Sequence, residues 1–342
     1  MKKNRILSGL LVSVLSVALI GCGTTAVDKP ADKPTEAVKE TLTVKLSSTS
    51  SKGGAMYEGA IKFKELVEER SKGEIVVQVF PDGQLAKDLA AIDAHKTGAI
   101  HMSLPSTAMA QIDPKFGVFD IPFLFKDAAA VAKFAHGPMW AEDFQPLFGQ
   151  YGMVGLAFWE NGFRHITNNK RPINTPEDLK GIKLRVPESK LRVAMFKEFG
   201  ANPATSDFSE VFTALQQGVF DGQENPFVQI EAGRFAEVQK YLSLTSHTYT
   251  PAYLVASKVW FDKLTPDQQK LLTQAAIDAG DYTREYGAKV EGELLAKFKA
   301  AGMQVNTADV PSFQAKVGPV VDLLKGSIDP AFVDKVVKTA KE

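Results

Sequence analysis

Between residues 41 and 104 strand-like and helix-like runs alternate, and that alternation leaves few folds open. Residues 41–46 alternate apolar and polar side chains, as a half-buried strand does. Residues 55–70 carry Met56, Ala60, Phe63, Leu66 and Val67 at helical spacing, and Gly73 ends the run. A second strand is predicted over 74–80, punctuated by Pro81-Asp82-Gly83, then a helix over 86–97 and a short strand over 100–104. This order is that of a parallel sheet covered by helices. Open sheets of that kind take ligands beyond the carboxyl ends of their strands. Gln84 and Ser106 follow two such ends and are candidate rim residues; ordinary polar turns have the same composition.

The pattern resumes farther on. A strand over 153–158 leads to Trp159. Thr175-Pro176-Glu177-Asp178 opens a helix, with a capping hydroxyl, a proline in the first turn and two acids at the positive end of the dipole. A strand over 182–186 follows, then helices over 188–199, stopped by Gly200, and over 209–217, capped by Ser209. Thr265-Pro266-Asp267-Gln268 begins a long helix running past Glu285 toward Ala301, with Gly280 and Gly287 as the places for a bend. The runs make two α/β units, split near Asn161. Within the strand over 182–186, Arg185 follows Ile182 and Leu184, and a permanent charge there is costly unless something pairs with it. Guanidinium is a planar fork of donors that matches a carboxylate two bonds at a time. Arg185 is therefore either a clamp for a small carboxylate or half of a buried ion pair with a local acid such as Glu188 or Glu160.

The amino terminus predicts export. Met1-Lys2-Lys3-Asn4-Arg5 precedes a mostly apolar run over 6–20, short of the ~20 residues a membrane span needs. The run ends in Leu19-Ile20-Gly21-Cys22, which resembles the lipobox of bacterial lipoproteins; Cys22 would be lipidated and become the first mature residue. The alternative is a chance cysteine behind an ordinary signal peptide over 1–22. Residues 23–40 repeat D-K-P without hydrophobic periodicity and read as a disordered tether. Cys22 is the only cysteine, so no internal disulfide and no thiolate metal site is expected, and the fold must hold by its core. Some 300 residues can do that, burying roughly three quarters of their unfolded surface. Acidic and basic residues balance at 40 each, which argues against nucleic acid and against a polybasic membrane patch.

Signals of catalysis are missing. None of the five histidines falls in a metal-ligand spacing, and no G-x-S-x-G elbow, P-loop or dinucleotide fingerprint occurs. A carboxylate pair of the glycosidase kind has no local motif and stays open at this stage. No enzyme activity, cofactor or metal is expected.

Four motifs occur in order: P-D-G-Q-L over 81–85, D-I-P-F-L-F over 120–125, T-P-E-D-L-K-G-I-K-L-R-V-P over 175–187 and D-G-Q-E-N-P over 221–226. Together they resemble the periplasmic solute-binding proteins of TRAP (tripartite ATP-independent periplasmic) transporters, the DctP family, over essentially the whole mature chain. The resemblance implies a two-lobe fold like other periplasmic binding proteins, each lobe a mostly parallel sheet covered by helices. It places residues 41–161 and 251–290 in one lobe and residues 162–250 and 291–342 in the other. It also implies a long helix spanning both, and a hinge near Asn161-Gly162 and Thr250-Pro251.

The same resemblance gives Arg185 the main salt bridge to a ligand carboxylate. Arg164 and Asn225 match ligand-contacting positions, Phe208 a pocket position, and His247 a place near the site; Trp159 is their neighbour. Each has an ordinary alternative: a surface arginine, a turn residue before Pro226, core aromatics, a loop-bridging histidine. Glu188 and Ser189 fall where specificity varies, and an inward Glu188 would repel a second ligand carboxylate. The implied partners are a small and a large membrane subunit driven by an ion gradient. The expected ligand is a C4-dicarboxylate such as malate, succinate or fumarate, with Arg164 on the second carboxylate. A hexuronate, another sugar acid or a monocarboxylate is the alternative, and a role feeding a sensor kinase or chemoreceptor is another.

Overall fold

Two mixed sheets carry the architecture of the computed structural model, which describes residues 41–342; the signal peptide, Cys22 and the tether expected over 1–40 lie outside the described residues. The strands are β1 (Leu42–Ser47), β2 (Ile75–Phe80), β3 (Met102–Ser103), β4 (Met153–Phe163), β5 (His165–Asn168), β6 (Lys183–Val186), β7 (Asn202–Thr205), β8 (Gly222–Asn225), β9 (Tyr241–Leu244), β10 (Tyr249–Ser257) and β11 (Gln304–Thr307). The first sheet has the order β2-β1-β3-β10-β4 and the second β11-β9-β5-β8-β6-β7. The strands joined by helical crossovers pair in parallel, as the alternation predicts: β1 with β2 and β3, β6 with β7 and β8. Antiparallel pairing is confined to partners of β10 or β5, the strands on either side of the passage between sheets. The chain passes at Arg164, whose N–H donates to Thr248 O at 2.9 Å, and returns between β9 and β10.

The helix over Ala55–Arg70 forms where the periodicity puts it and buries Met56, Ala60, Phe63 and Val67. The predicted helix start at Thr175 holds only a short 3-10 turn, Pro176–Leu179, with Asp178 Oδ2 accepting from the N–H of Thr175 at 3.0 Å. The helix assigned to 209–217 begins one residue earlier, at Phe208, and Ser209 does not cap it. The long helix is continuous over Pro266–Ala300, 35 residues, or about 52 Å at 1.5 Å per residue. Thr265 caps it, accepting from Gln268 N–H at 3.3 Å while Gln268 Oε1 accepts from Thr265 N–H at 2.9 Å.

Gly280 and Gly287 do not break this helix; they let β4 come close. A Cβ on Gly280 would sit 2.8 Å from Trp159 Cδ1 and 2.9 Å from the Phe158 carbonyl, and one on Gly287 would sit 2.5 Å from Glu160 Oε1. The helix also touches the helix Ala55–Arg70 on the first sheet's side. On the second sheet's side it touches the helix Phe227–Ala232, and Phe298 meets Phe227 edge-on at 5.8 Å. One rigid rod thus backs both sheets.

Candidate functional site

The parallel strands end on a common cavity. Beyond β1 come Thr49 and Ser50, beyond β3 Ser106 and Thr107, beyond β6 Pro187 and Glu188, and beyond β7 Ser206, Asp207 and Phe208; all of them line it, as do Arg185 on β6 and Asn225 at the end of β8. This is the ligand position the parallel topology favours. The unfilled space, open mouth included, is about 510 Å³. A chain of amides and hydroxyls joins residues of both sheets along the wall. Gln229 Nε2 donates to Asn161 Oδ1 at 3.0 Å, Asn161 Nδ2 to Ser106 Oγ at 3.3 Å, and Ser106 Oγ to the Pro251 carbonyl at 2.6 Å.

Arg185 is 3% exposed. Nε donates to the Ser206 carbonyl at 2.9 Å and Nη2 donates to the same oxygen. Among the described residues no carboxylate lies within ion-pair distance of it; neither Glu188 nor Glu160 answers its charge. Burial, with repulsion from Arg164, lowers its pKa to about 10 against the attraction of Glu224, Asp207 and Glu188. Nη1 has no hydrogen-bond partner among the described residues. A guanidinium held by a neutral carbonyl at a cavity wall has the chemistry to pair with an anion.

Arg164 lines the same cavity, but its bonds go elsewhere. Nε donates to Glu224 Oε2 at 2.5 Å, and Nη2 to Glu224 Oε1 at 3.1 Å and to the Glu224 carbonyl. Arg192 shares that carboxylate, with Nη1 at 3.1 Å from Glu224 Oε2, while its Nη2 reaches Asp120 Oδ1 and Thr250 Oγ1. His247 Nε2 donates to Glu224 Oε2 at 3.0 Å. Burial alone would raise the Glu224 pKa, but Arg164, Arg192 and His247 hold it far below the usual carboxylate range. The result is a buried network of two guanidiniums, two carboxylates and an imidazole kept neutral by burial, in which Arg192 Nε and Asp120 Oδ2 have no hydrogen-bond partner among the described residues.

The structure therefore gathers Arg185, Arg164, Asn225, Phe208 and Ser106 at one cavity and leaves three candidates out. His247 stands behind it, spent on Glu224 and on Thr245 Oγ1 at 2.7 Å. Trp159 is wholly buried in the core, its Nε1–H on the Ala276 carbonyl at 2.8 Å. Gln84 is an exposed turn residue whose N–H closes the turn onto the Pro81 carbonyl at 3.0 Å. Of the two specificity candidates, Glu188 lines the cavity, whereas Ser189 caps the helix Lys190–Glu198 by accepting from Arg192 N–H. Sequence reasoning missed Asp88, Asn161, Asp207, Gln229 and the Asp120–Arg192–Glu224 network. The one signal for the last was three successive polar residues, Gln223, Glu224 and Asn225, in a segment short enough to be a buried strand.

Residues 46–326 match the family of bacterial extracellular solute-binding proteins, family 7 (DctP). The chain is 39% identical over 259 residues to the 2,3-diketo-L-gulonate-binding periplasmic protein YiaO of Escherichia coli (strain K12), covering 75% of this chain and 79% of that protein. It is 33% identical over 269 residues to the C4-dicarboxylate-binding protein DctB of Bacillus subtilis (strain 168), covering 78% and 77%. The crystal structure of the sugar acid binding protein DctPAm from Advenella mimigardefordensis in complex with galactonate superposes with a TM-score of 0.85 at 34% identity, covering 88% of this chain and 98% of that one. Among the described residues no helix is long and apolar enough to cross a membrane. Sequence, fold and the position of the cavity agree: the chain belongs to the DctP family of TRAP-type solute-binding proteins.

Proposed function

We infer that the chain captures a small organic acid outside the cytoplasm, with the acid's carboxylate on Arg185, and delivers it to the membrane subunits of a TRAP transporter. The observation that carries this reading is the buried Arg185 guanidinium, which lines the cavity with no acid within ion-pair distance among the described residues. A bound carboxylate would supply the missing partner in bidentate geometry. The lobes would close on the ligand about the strand passage near Arg164 and Thr248, and closure would present the surface the membrane subunits read. Lipidation of Cys22 would hold the protein at the membrane.

Among acids, we favour a sugar acid with a single carboxylate over a C4-dicarboxylate. The dicarboxylate expectation relied on Arg164 for the second carboxylate, and its Nε and Nη2 are committed to Glu224, which leaves Nη1 alone without a partner among the described residues. The rest of the lining offers amides, hydroxyls and carboxylates, which suit ligand hydroxyls. The similarity to proteins named for diketogulonate and solved with galactonate points the same way; the similarity to DctB keeps the dicarboxylate as the second reading.

The test is a thermal-shift screen of aldonates, hexuronates, C4-dicarboxylates and neutral sugars. A ligand at a hundred times its Kd adds ~2.7 kcal/mol of stability. Arg185→Ala should weaken binding by roughly two to four decades, since removing one partner of a buried charge pair costs ~3–5 kcal/mol. Unchanged affinity in that variant, or a shift with neutral sugars alone, would overturn the clamp.

A further inference from the structure

Three carboxylates share the cavity with Arg185, and they are not equivalent. Asp207 is answered by Lys87, whose Nζ lies 3.2 Å from Oδ2 and also pairs with Glu210. Asp88 and Glu188 make no ion pair among the described residues. Asp88 opens the helix Asp88–His95, and its Oδ1 accepts from Thr49 Oγ1 at 3.0 Å. Its second oxygen has no hydrogen-bond partner among the described residues, and the residue lines the cavity. The charges that face it are Asp207 and Glu188 from the second sheet's loops, which oppose its ionisation, and Arg185 on β6, which favours it. Burial is the largest effect, and the pKa is pushed up to about 7 despite the Thr49 hydrogen bond. A helix-opening acid can serve the helix dipole from the solvent side. This one is half-buried and lines the cavity, so a ligand there can reach its free oxygen.

We propose that Asp88 selects among acids held at Arg185, accepting a hydrogen bond from a ligand hydroxyl and repelling a second carboxylate. The inference rests on the reading of Arg185 as the carboxylate clamp and gives that site a specificity. A ligand whose first carboxylate sits on Arg185 leaves the rest of its length against Asp88, Glu188 and Asp207. A hydroxyl there donates to the free Asp88 oxygen. A carboxylate there stands against like charge, which costs several kcal/mol across a well-defined contact. Protonation of Asp88 removes the repulsion and makes the group a donor, so low pH admits dicarboxylates.

The experiment is calorimetric titration of the purified protein with galactonate and with succinate, at about pH 8 and about pH 6.5, both above the range in which succinate itself takes up a proton. Wild type should prefer galactonate at the higher pH. Asp88→Asn, which keeps shape and removes charge, should move the ratio of the two affinities about tenfold or more toward succinate. Acidification should move the wild-type ratio the same way and leave the Asp88→Asn ratio nearly still; any residual drift in that variant belongs to Glu188. A ratio in Asp88→Asn within twofold of wild type overturns the proposal, as does a wild-type ratio indifferent to pH or favouring succinate at about pH 8. If Asp88→Asn fails to fold, the two wild-type titrations decide alone. Galactonate binding that survives Arg185→Ala sinks the clamp, while the Asp88→Asn ratio still reads Asp88. Wild type that takes neither acid sinks both.

Discussion

Replacing Glu224 by glutamine tests how much the buried charge network contributes to stability. Glutamine keeps the shape of the side chain and removes its charge. In the wild type that carboxylate, wholly buried, accepts from Arg164 Nε at 2.5 Å, Arg192 Nη1 at 3.1 Å and His247 Nε2 at 3.0 Å. In the variant two guanidiniums face one remaining acid, Asp120, and one of the glutamine's termini is a donor aimed at donors. Breaking a buried pair from one side costs ~3–5 kcal/mol. A chain of about 300 residues unfolds with an entropy near 0.6 kcal/mol/K, so the loss corresponds to roughly 5–8 °C in Tm. Calorimetric melts at neutral pH measure it. The pH dependence gives a second arm. Because the folded-state pKa of Glu224 is depressed, its contribution is fully present above the unfolded value of 4.5 and fades as pH falls toward the folded one. The gap between wild type and Glu224→Gln should therefore narrow below pH 4.5. A variant that melts within about 1 °C of wild type at neutral pH, or a gap that does not change in acid, would refute the argument.

Two further outcomes follow from the packing against the long helix. Gly280→Ala should destabilise by about 1–3 kcal/mol, although alanine is the better helix former by ~1 kcal/mol, because its Cβ would meet Trp159 and the Phe158 main chain; a raised Tm would show that β4 can retreat. Burial raises the Glu160 pKa to about 7 against Arg284 and Tyr249, so its favourable contribution is present in acid and is lost as pH rises through about 7. In urea titrations Glu160→Gln should lose less stability than wild type between about pH 5.5 and about pH 8.5, and equal losses would count against a buried, titrating Glu160.

The elements that the sequence made legible were those set by local periodicity: the helix Ala55–Arg70, the β6 strand around Arg185 and the long helix with its capping box. What stayed hidden depends on where a backbone turns a side chain. Trp159 and Asn161 lie two residues apart on β4, and strict alternation would send both to one face. The β4–β10 ladder skips Asn161, however: Thr250 faces Gly162 and Pro251 faces Glu160. That bulge lets Asn161 line the cavity while Trp159 stays in the core. His247 is engaged with Glu224, a partner 23 residues away in a segment that looked like turn chemistry around Asn225, so its pairing could not be read locally. Gln84 followed the end of β2, yet β2 is the edge strand of its sheet, and the turn after it lies outside the cavity.

The three buried arginines among the described residues show why a motif can bring charges to a cavity without saying which of them is paired. Arg164, Arg185 and Arg192 have the same permanent charge and nearly the same burial. Which of them is free depends on acids that arrive from far along the chain: Glu224 lies 60 residues from Arg164, and Asp120 lies 72 residues from Arg192. Those pairings balance two cations with two anions where the chain crosses between sheets, and they bind the helix Lys190–Glu198 to Thr250 on β10. Arg185, one strand away, is held by a carbonyl with no net charge, so its positive charge has no ion-pair partner among the described residues and sits at the cavity wall. Under the proposed clamp, a ligand carboxylate would complete there the pairing that Glu224 and Asp120 complete within the protein. Affinity for acids as a class would then belong to Arg185, while the choice among acids would pass to Asp88, Glu188 and the amide wall, whose identities no single motif encodes.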